Sequence, residues 1–157
     1  MILALCTIGL LGVIVYQGVN SRIGIECISC ERYSAQDARF ADQYYAVCDA
    51  LANKAVPGIV YRQEEPADAK DYCFTVYTFE LKNTGLAAAE TLEAKISARP
   101  EDILMHQGEK ETVVQPGGTA QLTVVLFSQN GSTGEREFNF TYYLWGTKQE
   151  VKYRYAR

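Results

Sequence analysis

The chain opens with a run that has almost no polar punctuation. In MILALCTIGLLGVIVY (Met1–Tyr16) only Thr7 carries a polar side chain, and no charged residue occurs before Arg22. At a rise of about 1.5 Å per residue, residues 1–19 would reach roughly 29 Å as a helix, just enough for a hydrocarbon core of about 30 Å. The pattern predicts an apolar transmembrane or filament-core helix over residues 1–19. A buried core helix usually keeps a polar stripe, and a cleaved secretory signal needs a basic start and a small-x-small site; neither is present. The missing basic flank suggests that Met1 begins a processed chain.

Residues 20–33 contain Asn20, Gly24 and the pair Cys27 and Cys30, and read as a connector. Ser34 with Asp37 gives a helix-start signal, and Phe40, Tyr44, Val47, Cys48 and Leu51 recur at three- and four-residue spacing. They predict an amphipathic helix over residues 34–54, ended by Pro57-Gly58.

The period then becomes two. Cys73, Thr75, Tyr77, Phe79 and Leu81 alternate with Glu80 and Lys82, so Leu81 faces a core and Lys82 faces water. Alternation returns at Leu122–Leu126, Phe138–Leu144 and Val151–Tyr155, with turn chemistry at Asn83-Thr84-Gly85, Pro116-Gly117-Gly118, Asn130-Gly131 and Gly146-Thr147. Shorter strands are expected at Ile59–Arg62, Ile103–His106 and Thr112–Gln115. The segment Leu86–Arg99 has helical propensity, yet Leu92, Ala94 and Ile96 alternate, so its second half reads as a strand. About seven strands at this spacing predict a mainly-β antiparallel sandwich over residues 59–156, within an extracytoplasmic domain covering 34–157.

The sequence FTVYTFELKNTGLAAAETLEAKI, followed about twenty residues later by VVQPGGTAQLTVVLF, resembles the CARDB-like and DUF11-like immunoglobulin-type modules. The resemblance covers roughly Tyr72–Tyr155. It implies an immunoglobulin-like sandwich used in adhesion, scaffolding or envelope assembly without catalysis. The overall plan, an apolar N-terminal helix before a sandwich, is similar to archaeal pilins and archaellins.

Composition narrows the function classes. Fifteen basic against nineteen acidic residues give a net charge of -4, which argues against a nucleic-acid partner. One histidine, His106, beside Glu101 and Asp102, has no nucleophile motif near it, so a structural histidine is expected and no enzyme. Glu64, Glu65, Asp68 and Asp71 match no calcium loop, and no cofactor or metal site is predicted.

Cys27, Cys30, Cys48 and Cys73 suit structural disulfides in an oxidising compartment, with a metal pair or a redox dithiol at Cys27 and Cys30 as alternatives. Since Cys48 lies on the helix stripe and Cys73 on an inward strand face, a Cys48–Cys73 bridge is expected, leaving Cys27 and Cys30 as a local pair. Asn130 and Asn139 begin glycosylation sequons. Taken literally, Arg22 and Arg32 would place the domain in the cytoplasm, but the cysteines and sequons favour the exterior. In the last sixteen residues aromatic and basic groups gather, and Tyr143, Trp145, Lys148, Lys152 and Arg154 form a candidate contact surface.

The sequence thus predicts a noncatalytic, membrane-anchored, extracytoplasmic subunit of a cell-envelope assembly, at the cell membrane or cell surface. The alternatives are a pilin-like filament subunit and a thiol-redox protein. Expected partners are membrane lipid or copies of its own apolar helix, together with other envelope proteins in an oligomer or filament.

Overall fold

A computed structural model describes residues 22–63, 65–108, 113–131 and 134–156. The fold is mainly β and sandwich-like, with antiparallel pairing throughout. One sheet has the order β1-β3-β6-β5-β2, made from β1 (Ile23–Ser34), β2 (Ile59–Val60), β3 (Tyr72–Asn83), β5 (Asp102–Gln107) and β6 (Thr119–Gln129). The other has the order β4-β7-β8, made from β4 (Ala89–Ile96), β7 (Arg136–Leu144) and β8 (Thr147–Tyr155). The helix α1 (Ala41–Asn53) lies against the outer face of the larger sheet.

Alternation sorts the side chains into two cores. Tyr77, Phe79 and Leu81 of β3 and Leu122, Val124 and Leu126 of β6 meet Leu92 and Ile96 of β4 and Phe138, Phe140 and Tyr142 of β7 between the sheets. Phe79 is fully buried, edge-on to Phe138 at 4.8 Å and Phe140 at 5.0 Å, the favoured geometry for aromatic pairs. On the opposite face Phe74 and Phe127, one residue out of phase with the first set, pack with Phe40, Tyr44 and Leu51. Leu81 is buried and Lys82 exposed, as the two-residue period predicts.

Several expectations need correction. The expected N-terminal apolar helix is not supported: α1 is the one helix longer than a single turn among the described residues, and none there is long and apolar enough to cross a membrane. Residues 1–19, on which that expectation fell, lie outside the described residues.

The segment 20–33, expected as a connector, is largely strand β1, paired with β3 from Ile23 opposite Asn83 to Ser34 opposite Cys73. A bulge between Cys27 and Ser29 shifts the register and hides the two-residue period from a sequence reading. The helix starts at Ala41 and not Ser34, because Ser34 still closes β1. Its hydroxyl and carbonyl accept from the Gln36 and Asp37 amides at 3.2 and 3.0 Å, so the start signal forms a turn. Thr112–Gln115 yields only an isolated bridge from Val114 to Ala89 among the described residues.

Candidate functional site

The hairpin joining β7 and β8 is tight. Leu144 pairs with Thr147, so Trp145 and Gly146 alone make the turn, with φ of +54° and +71°. Positive φ at both central positions is the geometry of a type I′ hairpin, whose twist matches that of the strands and which favours Asn-Gly. A bulky residue at positive φ is uncommon and strained. Here the first position holds the chain's single tryptophan, and its side chain is 68% exposed.

Two other loops reach the same end, tied down by one buried amide. Asn83, 1% exposed at the end of β3, donates through Nδ2 to the carbonyls of Ala87 at 2.7 Å and Val114 at 2.8 Å, and accepts from the Gly85 amide at 2.8 Å. Its backbone bonds the 116–118 turn in both directions: the Asn83 amide donates to Gly118 O and the Gly117 amide donates to Asn83 O. Ala89 exchanges backbone hydrogen bonds with Val114 on one side and pairs with Leu144 on the other. Leu86 and Val113 therefore flank the strand end from which Trp145 projects, and they too are exposed, at 59% and 47%. Tyr143 adds its ring on the outer face of the smaller sheet. Of the six large exposed hydrophobic residues among those described, four stand at this end.

The predicted contact residues divide between two ends. Tyr143 lies opposite Lys148 and Glu90 near the Trp145 turn, and Lys148 reaches Glu150 at 2.6 Å. That contact holds the Lys148 ammonium above its ordinary value and Glu150 below its own. Lys152 and Arg154 sit toward the other end of β8, both near Glu137 at 3.4 and 3.5 Å, and the Lys152 ammonium foremost holds that carboxyl low. Asn139 is on the same outer face, at mid-strand between Lys95 and Lys152, while Asn130 is in the turn at the far end, its amide donating to Lys70 O.

All four described cysteines are free thiols. The expected Cys48–Cys73 bridge is corrected by the faces they occupy. Cys48 packs into the core under α1, whereas Cys73 is in phase with the inward residues of β3, its sulfur 3.1 Å from Arg32 Nε and beside Ser128. The sheet stands between them. The β1 bulge has the opposite effect on Cys27 and Cys30, since both pack against the inter-sheet core although three residues apart. Burial, with Cys30 adding, pushes the Cys27 thiol up.

Sequence reading missed a buried ion pair across the sandwich. Arg136, 4% exposed on β7, donates to both oxygens of fully buried Asp102 on β5 at 2.9 and 3.0 Å, and Asp102 also accepts from the Arg99 amide at 2.8 Å. Arg136 is two residues before Phe138 in the inward phase, and that placement was a signal that a partner had to exist.

His106 Nδ1 lies 3.0 Å from Pro57 O. It borders two shallow clefts of about 200 and 330 Å³, the larger between α1 and the sheet with walls of Val47, Phe74 and Phe127. Among the described residues no three His, Cys, Asp or Glu side chains gather to hold a metal ion.

No protein-family model matches the chain. No curated protein matches it either. Among solved structures it is similar to a FixG-related protein from Vibrio parahaemolyticus at 14% identity, covering 86% of this chain and 95% of that one with a TM-score of 0.39. It is also similar to the yeast GGA1 GAE domain at 7% identity, covering 64% and 87% with a TM-score of 0.42. At these scores neither lends a role to any residue here.

Proposed function

We propose that the chain is a noncatalytic interaction subunit of an extracytoplasmic cell-envelope assembly, an immunoglobulin-type sandwich that works by presenting its Trp145 end. The observation that carries this reading is Trp145 itself: a bulky aromatic held at positive φ in a two-residue turn and left 68% exposed. A turn selected only for stability would place Asn or Gly there, and strain retained at an exposed site points to use. Asn83 adds support, because it fixes two neighbouring segments on rigid strand ends and gives the surface a defined shape.

The thiol-redox alternative has the bulge in its favour, which sets Cys27 and Cys30 on one face. A raised Cys27 thiol works against it, since the thiolate is the reacting form.

Site-specific photocrosslinking in cells tests the proposal. A crosslinker replacing Tyr143 should give discrete adducts, whereas one replacing Lys152, at mid-strand away from the turn, should give none. Adducts from Lys152 alone would contradict it, as would labelling of a cysteine introduced at exposed Ala38, at the opposite end, by a membrane-impermeant reagent only after lysis.

A further inference from the structure

The apolar end of the sandwich rests on the reading just given, and its partner can be narrowed. Trp145, Leu86 and Val113 project from three separate segments tied to one strand end. Their exposed apolar surface, with Tyr143, is on the order of 400 Å², about half of the roughly 800 Å² per partner that a specific protein interface buries. By itself it is small for a stable contact with a second copy, yet well suited to a surface that accepts isolated apolar tips.

The chain also enters the fold here. Thr84 donates to Arg22 O through its amide at 3.3 Å and its hydroxyl at 2.9 Å, and the twenty-one residues before Arg22 contain no charged side chain. Arg22, Lys82 and Lys148 stand around this end with Glu90 and Glu150, the last paired with Lys148 at 2.6 Å. Tryptophan and tyrosine are the side chains enriched where bilayer headgroups meet acyl chains.

We propose that this end of the sandwich docks on a lipid bilayer, with Trp145, Leu86 and Val113 entering the boundary between headgroups and acyl chains. The strained turn then has a purpose, because it holds the indole ahead of the strand ends. The β6–β7 turn with Asn130 points away from the bilayer.

Trp145 is the only tryptophan in the chain, so its fluorescence reports this tip and nothing else. The full chain is reconstituted into phosphatidylcholine vesicles with a minor share of phosphatidylglycerol, some carrying a nitroxide high on the acyl chain. The expected result is a blue-shifted emission, quenching of more than half by the nitroxide lipid and several-fold weaker acrylamide quenching than for a free indole. The variant with Leu86→Asp and Val113→Asp should regain acrylamide access at an unchanged far-ultraviolet spectrum; if it fails to fold, the quenching of the unmodified protein decides alone. Vesicle-bound protein whose Trp145 remains open to acrylamide and untouched by the nitroxide overturns the proposal, as does failure to bind vesicles. Protection that appears without vesicles and rises with protein concentration also overturns it and assigns the surface to a second copy. If Trp145 stays unprotected while the Tyr143 crosslinks persist, the lipid inference falls and the interaction reading stands.

Discussion

Trp145 and Asn83 have opposite relations to stability. Trp145 sits in a backbone conformation that favours Asn, so Trp145→Asn should raise the unfolding free energy by about 1 kcal/mol through relief of strain at positive φ. Urea midpoints of the two proteins check this, and a lower midpoint for the variant would mean that the indole packs usefully after all. Asn83 is nearly fully buried with both polar atoms engaged, and Asn83→Ala leaves the carbonyls of Ala87 and Val114 without their donor. The expected loss is about 2–4 kcal/mol, with hydrogen exchange accelerated first in segments 84–88 and 113–118. The motif Asn83-Thr84-Gly85 reads in sequence as a turn, which it is; that its amide also fastens two neighbouring segments is a tertiary fact without a local signature.

At the scale of elements, β3, β6 and β7 were legible because each carries an unbroken two-residue alternation, over Tyr77–Leu81, Leu122–Leu126 and Phe138–Leu144, although β3 and β6 also bury Phe74 and Phe127 on the other face. Strand β1 was not. Its bulge breaks the alternation, and its partner β3 lies some fifty residues away in the chain. Its edge is protected by means no local pattern shows: the amides of Ile23 and Cys27 donate to the hydroxyls of Tyr142 and Tyr153 from the other sheet, at 3.4 and 3.1 Å. The helix was found but begun seven residues early, since Ser34 and Asp37 serve a turn as readily as a cap. The Asp102–Arg136 pair joins β5 to β7 across the core edge. Asp102→Ala takes the nearest carboxylate from a buried guanidinium, leaving Glu101 at 4.0 Å, and should cost about 3–5 kcal/mol, whereas adding Arg136→Met should recover part of that loss. A double variant no more stable than Asp102→Ala, in paired thermal melts, would show that the aspartate acts mainly through the Arg99 amide.

The whole molecule is a sandwich with two unlike ends and aromatic cores on both faces of its larger sheet. Burial pushes Tyr77 of the inter-sheet core and Tyr44 under α1 both up to about 12. Because the folded values exceed the ordinary value of about 10, the stabilisation is complete below pH 10 and is lost as pH rises from about 10 through about 12. Urea midpoints should be unaffected by these two groups from pH 7 to 10 and fall beyond it. A rise in stability above pH 10 would contradict the burial of these hydroxyls. The polarity of the ends matters more for function: ion-paired Lys152 and Arg154 occupy one, and the strained tryptophan with its apolar neighbours the other.

Trp145→Asn separates fold from function most directly. Native gel analysis of the envelope fraction, comparing that variant with the unaltered chain at equal expression, should show the unaltered protein in a larger assembly. The variant should be folded, at least as stable, and released from that assembly. A variant that remains fully incorporated would contradict the account, because the exposed indole would then have no part in what holds the protein in place.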